Sequence, residues 1–193
     1  MLRFIWSTIY VAVGVAAGCA SAFALIQRAG LEPPDPGMPW QSRAAALAGP
    51  NAFYVRAHYL LEGRLPPAPS QLGEATADTD SDGRPLTGGC SYLIASTGPL
   101  PRWWSLGVVE PAGMVPAPRA AAAKDATLQT TADSDTAVHE ADGSVTVAAA
   151  SRPQPGNWLK LPDRRNFTLI YSALPSGPKP LDPPFAIKRG PCL

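Results

Sequence analysis

Two kinds of hydrophobic pattern divide the chain. From Phe4 to Ile26 every position is apolar, small or uncharged, a run long enough for one helix of about 20 residues to cross a hydrocarbon core. Downstream, apolar residues return mostly in short alternating groups. Asn51 to Gly63 is the exception: Phe53, Tyr54, Ala57, Leu60 and Leu61 recur at three-to-four spacing, with Asn51 placed to cap and Gly63 to stop a helix, and His58 lies off that stripe. Strands are predicted at Thr76 to Thr79, Cys90 to Ser96, Pro101 to Gly113, Ser144 to Ala149 and Phe167 to Ala173, each bounded by Gly, Pro or Asp turns. The densest is Pro101 to Gly113, where Trp103 and Trp104 point to opposite faces ahead of Leu106, Val108 and Val109. Between Met114 and Asp135 the pattern weakens to a brief helical Ala120 to Ala123 and an edge strand at Ala126 to Thr131, and Pro175 to Pro191 reads as an extended tail. The expected fold is mainly β, a β-sandwich with one short α-helix, preceded by one N-terminal transmembrane helix. Its parts are an anchor over 1–28, a Pro-rich spacer over 29–50 and the β-sandwich domain over 51–193.

Composition sharpens this picture. In 193 residues there is room for one span and one domain with its own core, and 23 prolines favour short strands and tight connections over a helical bundle. A net charge of +1, with no Lys/Arg-rich block, leaves no nucleic-acid footprint. The apolar run has three readings: a membrane anchor first, a signal peptide cleaved near Ala20-Ser21-Ala22 second, and a lipidated Cys19 third. A short N-terminal stub leading into a span is the usual signal-anchor arrangement. It places the residues after Arg28 in the periplasm and the span in a bacterial inner membrane, although Arg3 and Arg28 flank it evenly. Cys90 and Cys192 are then a candidate disulfide, with two unrelated thiols as the alternative.

Chemistry is sparse. Asp78, Asp80, Asp82 and Gly83 begin like a calcium loop, but Gly89 stands where the bidentate Glu is required, so a turn with Asp-Gly at its tip is the reading and no metal is expected. His58 has no partner at ligand spacing. His139 and Glu140 are adjacent on a polar loop and point apart, and no nucleophile, base or phosphate loop suggests a catalytic residue or a cofactor. Asn166-Phe167-Thr168 matches a glycosylation sequon by coincidence, at a strand start.

Several segments in order carry a family likeness: Asp82-Gly83-Arg84-Pro85-Leu86, Gly89-Cys90-Ser91-Tyr92, Pro99-Leu100-Pro101-Arg102-Trp103-Trp104-Ser105-Leu106, Asp142-Gly143-Ser144-Val145, Pro155-Gly156-Asn157-Trp158-Leu159 and Phe167-Thr168-Leu169. Together they resemble the bacterial domain of unknown function 1214, in its short single-span form, over roughly Asn51 to Arg189. The resemblance implies a sandwich of jelly-roll type. In longer relatives this domain follows another, domain of unknown function 1254, on the same chain. The family supplies no catalytic residues to carry over, and Gln71 to Ala75 lacks the aromatic residues that its first strand usually shows.

Two functions are compatible with these residues. One is an envelope protein whose sandwich binds a partner, a separate chain resembling the missing domain, through a surface that includes Trp40 and Trp158. The other is a carbohydrate- or small-molecule-binding jelly roll, with hydrolysis as a variant of that reading, in which Trp103, Arg102, Tyr92 and Asp82 converge as stacking ring, cation, hydroxyl and carboxylate.

Overall fold

In the computed structural model, residues 2–31, 38–68, 70–109, 131–163, 165–175 and 181–192 are described, with side chains described from Trp6 onward and at all these positions except Ala45. The uncharged run becomes helix α1, Leu2–Arg28, about 40 Å long at helical rise. It is long and apolar enough to cross a membrane, and none of its apolar window is buried against the protein. The predicted short helix is α2, Ala52–Leu61.

Among the described residues eight strands follow: β1 Gly73–Ala77, β2 Cys90–Ser96, β3 Trp104–Val109, β4 Thr131–Asp133, β5 Thr146–Ala150, β6 Asn157–Lys160, β7 Thr168–Ala173 and β8 Phe185–Cys192. They form two four-stranded sheets, ordered β1-β7-β3-β4 and β6-β5-β2-β8. All pairs are antiparallel except β5 with β6. The chain passes between the sheets repeatedly, as a roll-like sandwich requires.

Alternation sets which side chains meet between the sheets. Trp104, Leu106, Leu169, Tyr171 and Ala173 from the first sheet and Tyr92, Ile94, Val147, Leu159, Phe185 and Ile187 from the second belong to one buried cluster. Across it, Trp104 and Tyr171 lie 5.5 and 5.6 Å, ring centre to ring centre, from Phe185. Of the tryptophan pair, Trp104 is the buried member at 1% exposure and Trp103 is half-buried. The missing aromatics of the first strand are explained by its company: Ala75 and Ala77 suffice on the core side, where the large rings come from β7, β3 and β8.

Three expectations change. The tail is not merely extended: Phe185–Cys192 is the longest of the described strands, because Phe185 and Ile187 alternate inward and its pairing with β2 fixes the register. Pro191 sits within it, on the outermost strand of its sheet, where a missing N–H is tolerated. The spacer is partly built into the domain, since Gln41 bridges to Thr76 and Ala45–Ala48 forms a 3-10 turn. On α2 the buried residues are Val55, His58 and Tyr59, whereas Phe53, Leu60 and Leu61 are 61%, 65% and 54% exposed. The expected helix Ala120 to Ala123, the strand over 126–130 and the end of the Trp strand after Val109 lie outside the described residues.

Candidate functional site: a groove between the helices and the first sheet

Strand β1 is at the edge of its sheet, and the helices cover part of that sheet's outer face. Glu74 points to this outer face and is nevertheless buried, because α2 lies over it. A buried carboxylate needs donors. Tyr59 supplies one, its hydroxyl donating to Glu74 Oε1 at 3.0 Å, and the Arg64 guanidinium pairs with Glu74 Oε2. Arg64 also reaches Glu62 at 3.1 Å and lies over the Tyr59 ring, 5.4 Å from its centre. Glu62 in turn accepts from His58 Nε2 at 3.2 Å, one helical turn back. The run of polar contacts from His58 through Glu62 and Arg64 to Glu74 thus fastens α2 and the residues after it to β1.

Electrostatics follow from this ladder. The hydrogen bond from His58 holds the Glu62 carboxyl below its ordinary value against the opposing effect of burial, with the charges of His58 and Arg64 adding to it. Burial, then the Glu74 carboxylate, pushes the Tyr59 phenol well above its usual range. Arg43 is lowered by burial and supported by Glu62, and it stays a cation. Its guanidinium donates to the Ala29 and Gln27 carbonyls at 3.1 and 3.0 Å, satisfying acceptors that the end of α1 leaves open.

Beside this ladder runs an open groove of about 600 Å³. One wall is the outer face of the first sheet, with Thr76, Thr168, Ile170 and Val109; the other is His58, Leu61, Glu62 and Arg64, with Gln27 and Arg43 closing the α1 side. Asp78 lies in it and accepts from Thr168 Oγ1 at 2.5 Å. His58, 5% exposed, has no partner for Nδ1 among the described residues.

None of the four expected ligand-binding residues lines this groove. Tyr92 is buried between the sheets, its hydroxyl accepting from Thr87 N–H at 2.9 Å and donating to Thr87 O. Asp82 is an exposed turn residue paired with Arg84, Arg102 is exposed before β3, and Trp103 is half-buried with its carbonyl accepting from Leu174 N–H. In the Asp-rich turn it is Asp80 that is buried. Its Oδ1 accepts from the Asp82 and Arg84 N–H groups, and its Oδ2 lies 2.8 Å from Arg189 Nε, a charge contact off the hydrogen-bond axis. Gly83 at the tip has φ of 80°, which the turn requires.

Both expected partner-surface indoles are half-buried and have their N–H groups engaged. Trp40 donates to Phe185 O at 2.7 Å and packs edge-on against Tyr171, and Trp158 donates to Ala150 O at 3.1 Å. Cys90 and Cys192 are register partners on β2 and β8, with Cα atoms 3.8 Å apart, and form a disulfide; Cys19 is free.

The structure therefore defines a class: a two-sheet β domain with an apolar helix at its N-terminal end and a charged, open groove where the two meet. The family model described as Protein of unknown function (DUF1214) matches residues 73–176, just over half of the chain, and the chain belongs to that family. Among solved structures it is similar to the VPA0106 protein of Vibrio parahaemolyticus, at 19% identity and a TM-score of 0.54, over 93% of this chain and 44% of that one. An uncharacterised protein of Burkholderia cenocepacia aligns at 16% identity and a TM-score of 0.49, over 89% of this chain and 40% of that one. The chain thus spans less than half the length of either. No curated protein matches it.

Proposed function

We propose that this chain is a membrane-anchored binding protein of the bacterial envelope. In this reading α1 holds it in the inner membrane with the sandwich in the periplasm, and the groove receives a segment of a second protein, a separate chain resembling domain of unknown function 1254. The observation that supports it is the lining of the groove. Arg43, Arg64, Glu62 and Asp78 are already engaged within the chain, Asp78 with Thr168, leaving Thr76, Val109, Ile170 and the amides of Gln27 and Asn166 among the rest of the lining. Such a wall suits the mixed apolar and amide surface of a polypeptide better than a free anion, which needs an uncommitted cation. The Cys90–Cys192 bond agrees with an oxidising compartment, and the greater length of the similar Vibrio structure agrees with a domain that has a neighbour to meet.

The size of the groove, about 600 Å³ with Gln27 and Asn166 among its polar lining, favours a second reading, an uncharged small molecule such as a carbohydrate. One experiment separates the two: full-length tagged chain, wild type and Ile170→Trp, is purified from native membranes in mild detergent and weighed intact. Stoichiometric recovery of an envelope protein with the wild type, and its loss with Ile170→Trp, supports partner binding. A bound small molecule lost in the same variant supports the second reading, and a bare chain in both samples overturns the first.

A further inference from the structure

Helix α2 carries an apolar stripe that nothing in the described structure covers. Phe53, Ala57, Leu60 and Leu61 fall within about a quarter-turn of one another on the helix surface, and the three large residues are more than half exposed. The opposite face, Val55, His58 and Tyr59, is spent on the protein. The Phe53 ring lies tilted against half-buried Tyr54, 4.1 Å between ring centres, and Arg56 flanks the stripe in solvent.

The position of this stripe narrows what can cover it. The last apolar residue of α1 is Ile26, and Gly30, only four residues later, is pressed against α2 so closely that a Cβ there would lie 2.9 Å from Val55 Cγ2 and 2.8 Å from Ala46 Cβ. With φ of 74° and no room for a side chain, Gly30 turns the chain from α1 directly onto the domain. Arg43 clasps the Gln27 and Ala29 carbonyls at the same junction. Leu61, at one margin of the stripe, shares the groove with Gln27 and Leu31. Because Gly30 packs on Val55, the end of the apolar helix and α2 are neighbours in space, so wherever α1 leaves the hydrocarbon core, α2 stands within about one helix diameter of the headgroups.

We propose that α2 lies in the interfacial layer of the membrane that α1 crosses, with Phe53, Leu60 and Leu61 against the acyl-chain boundary and Arg56 among the lipid phosphates. The residue types suit that layer: an aromatic pair, two leucines and one cation able to extend to the headgroups while its methylenes stay in the apolar region. Two anchored points, α1 and α2, fix the tilt of the domain and turn the groove beside them toward the membrane surface. The inference rests on α1 being a membrane span.

Nitroxide labelling of the full-length chain tests it. In a Cys19→Ser background, with the Cys90–Cys192 disulfide left oxidised, Leu60→Cys and Phe53→Cys are labelled one at a time in nanodiscs of phosphatidylethanolamine and phosphatidylglycerol. Ala12→Cys reports the span and Leu93→Cys the exposed sandwich surface. The expected result is oxygen accessibility well above that of a water-soluble nickel chelate at 53 and 60, shifted toward position 12 and away from position 93. Values at 53 and 60 like those at 93, with position 12 in lipid, overturn the proposal and leave the anchor intact. Shielding of 53 and 60 from both reagents overturns it in favour of a protein contact between copies, and a solvent-exposed position 12 overturns the anchor as well.

Discussion

Two buried tyrosines make opposite use of the same hydroxyl. The Tyr59 phenol donates to Glu74, so its loss leaves a buried carboxylate one donor short. The Tyr171 hydroxyl has no partner among the described residues, although its ring packs between Trp40 and Phe185. Tyr59→Phe is therefore expected to destabilise the domain by about 1 kcal/mol and Tyr171→Phe to be neutral or slightly stabilising, because removing an unmatched buried polar group relieves its desolvation. Urea denaturation of the two variants checks this. The pH dependence has a definite sign. Burial raises both phenols in the folded state, Glu74 adding at Tyr59, so their contribution is complete below the unfolded phenol value of about 10 and is lost as the pH rises above it. The alkaline loss should shrink in each variant. Glu62 behaves in mirror fashion: its folded carboxyl is lowered, so its contribution is present above the ordinary carboxylate range and fades as acid reaches the lower folded value.

At the scale of elements, the Cys90–Cys192 bond ties the edge strand β8 to β2 at a register pair and closes a separation of 102 residues. Replacing both cysteines by serine is expected to lower stability by about 2–4 kcal/mol, read as a lower denaturation midpoint that matches the reduced wild type. An unchanged midpoint would show that β8 is held by its ladder and by Phe185 and Ile187 alone. This strand also shows where sequence patterning ran out. Cys90 to Ser96 was legible to the residue because it alternates between two turns, whereas Phe185–Cys192 was hidden by the prolines before it and by Pro191 within it. On α2 the apolar stripe was legible and its direction was not. Periodicity finds a stripe wherever apolar residues recur, but what a stripe faces is set by distant residues, here Glu74 and the end of α1, that bury His58 and Tyr59 instead. The groove was illegible for the same reason. Its titratable members come from three segments, Arg43, then His58, Glu62 and Arg64, then Asp78, and the local hint, the four-residue spacing of His58 and Glu62, is passed over when His58 is read for metal-ligand spacing alone.

At the scale of the whole molecule, the question is what makes one body of an apolar helix and a β domain. The large buried cluster lies between the sheets, and α1 takes no part in it. The junction depends on a second, small cluster, Leu47, Val55 and Tyr59 with Ala29 and Ala46 packed against it, and on Arg43. Arg43 is suited to this because a planar cation can donate to two carbonyls of a terminating helix at once while Glu62 supports its charge, which a lysine ammonium on a flexible stem does less well. Arg43→Ala should therefore loosen the joint without unfolding the sandwich. With nitroxides on Ala24→Cys and Thr97→Cys, in a Cys19→Ser chain held in nanodiscs, the distance distribution is expected to broaden clearly in Arg43→Ala and less in Arg43→Lys, while the thermal midpoint of the sandwich stays close to the parent's. Equal widths in all three would place the joint in the apolar cluster around Gly30, where an added Cβ has no room. A broadened distribution with a lowered midpoint would mean that the small cluster and the sandwich melt together, so that the orientation of the domain at the membrane is part of its folding.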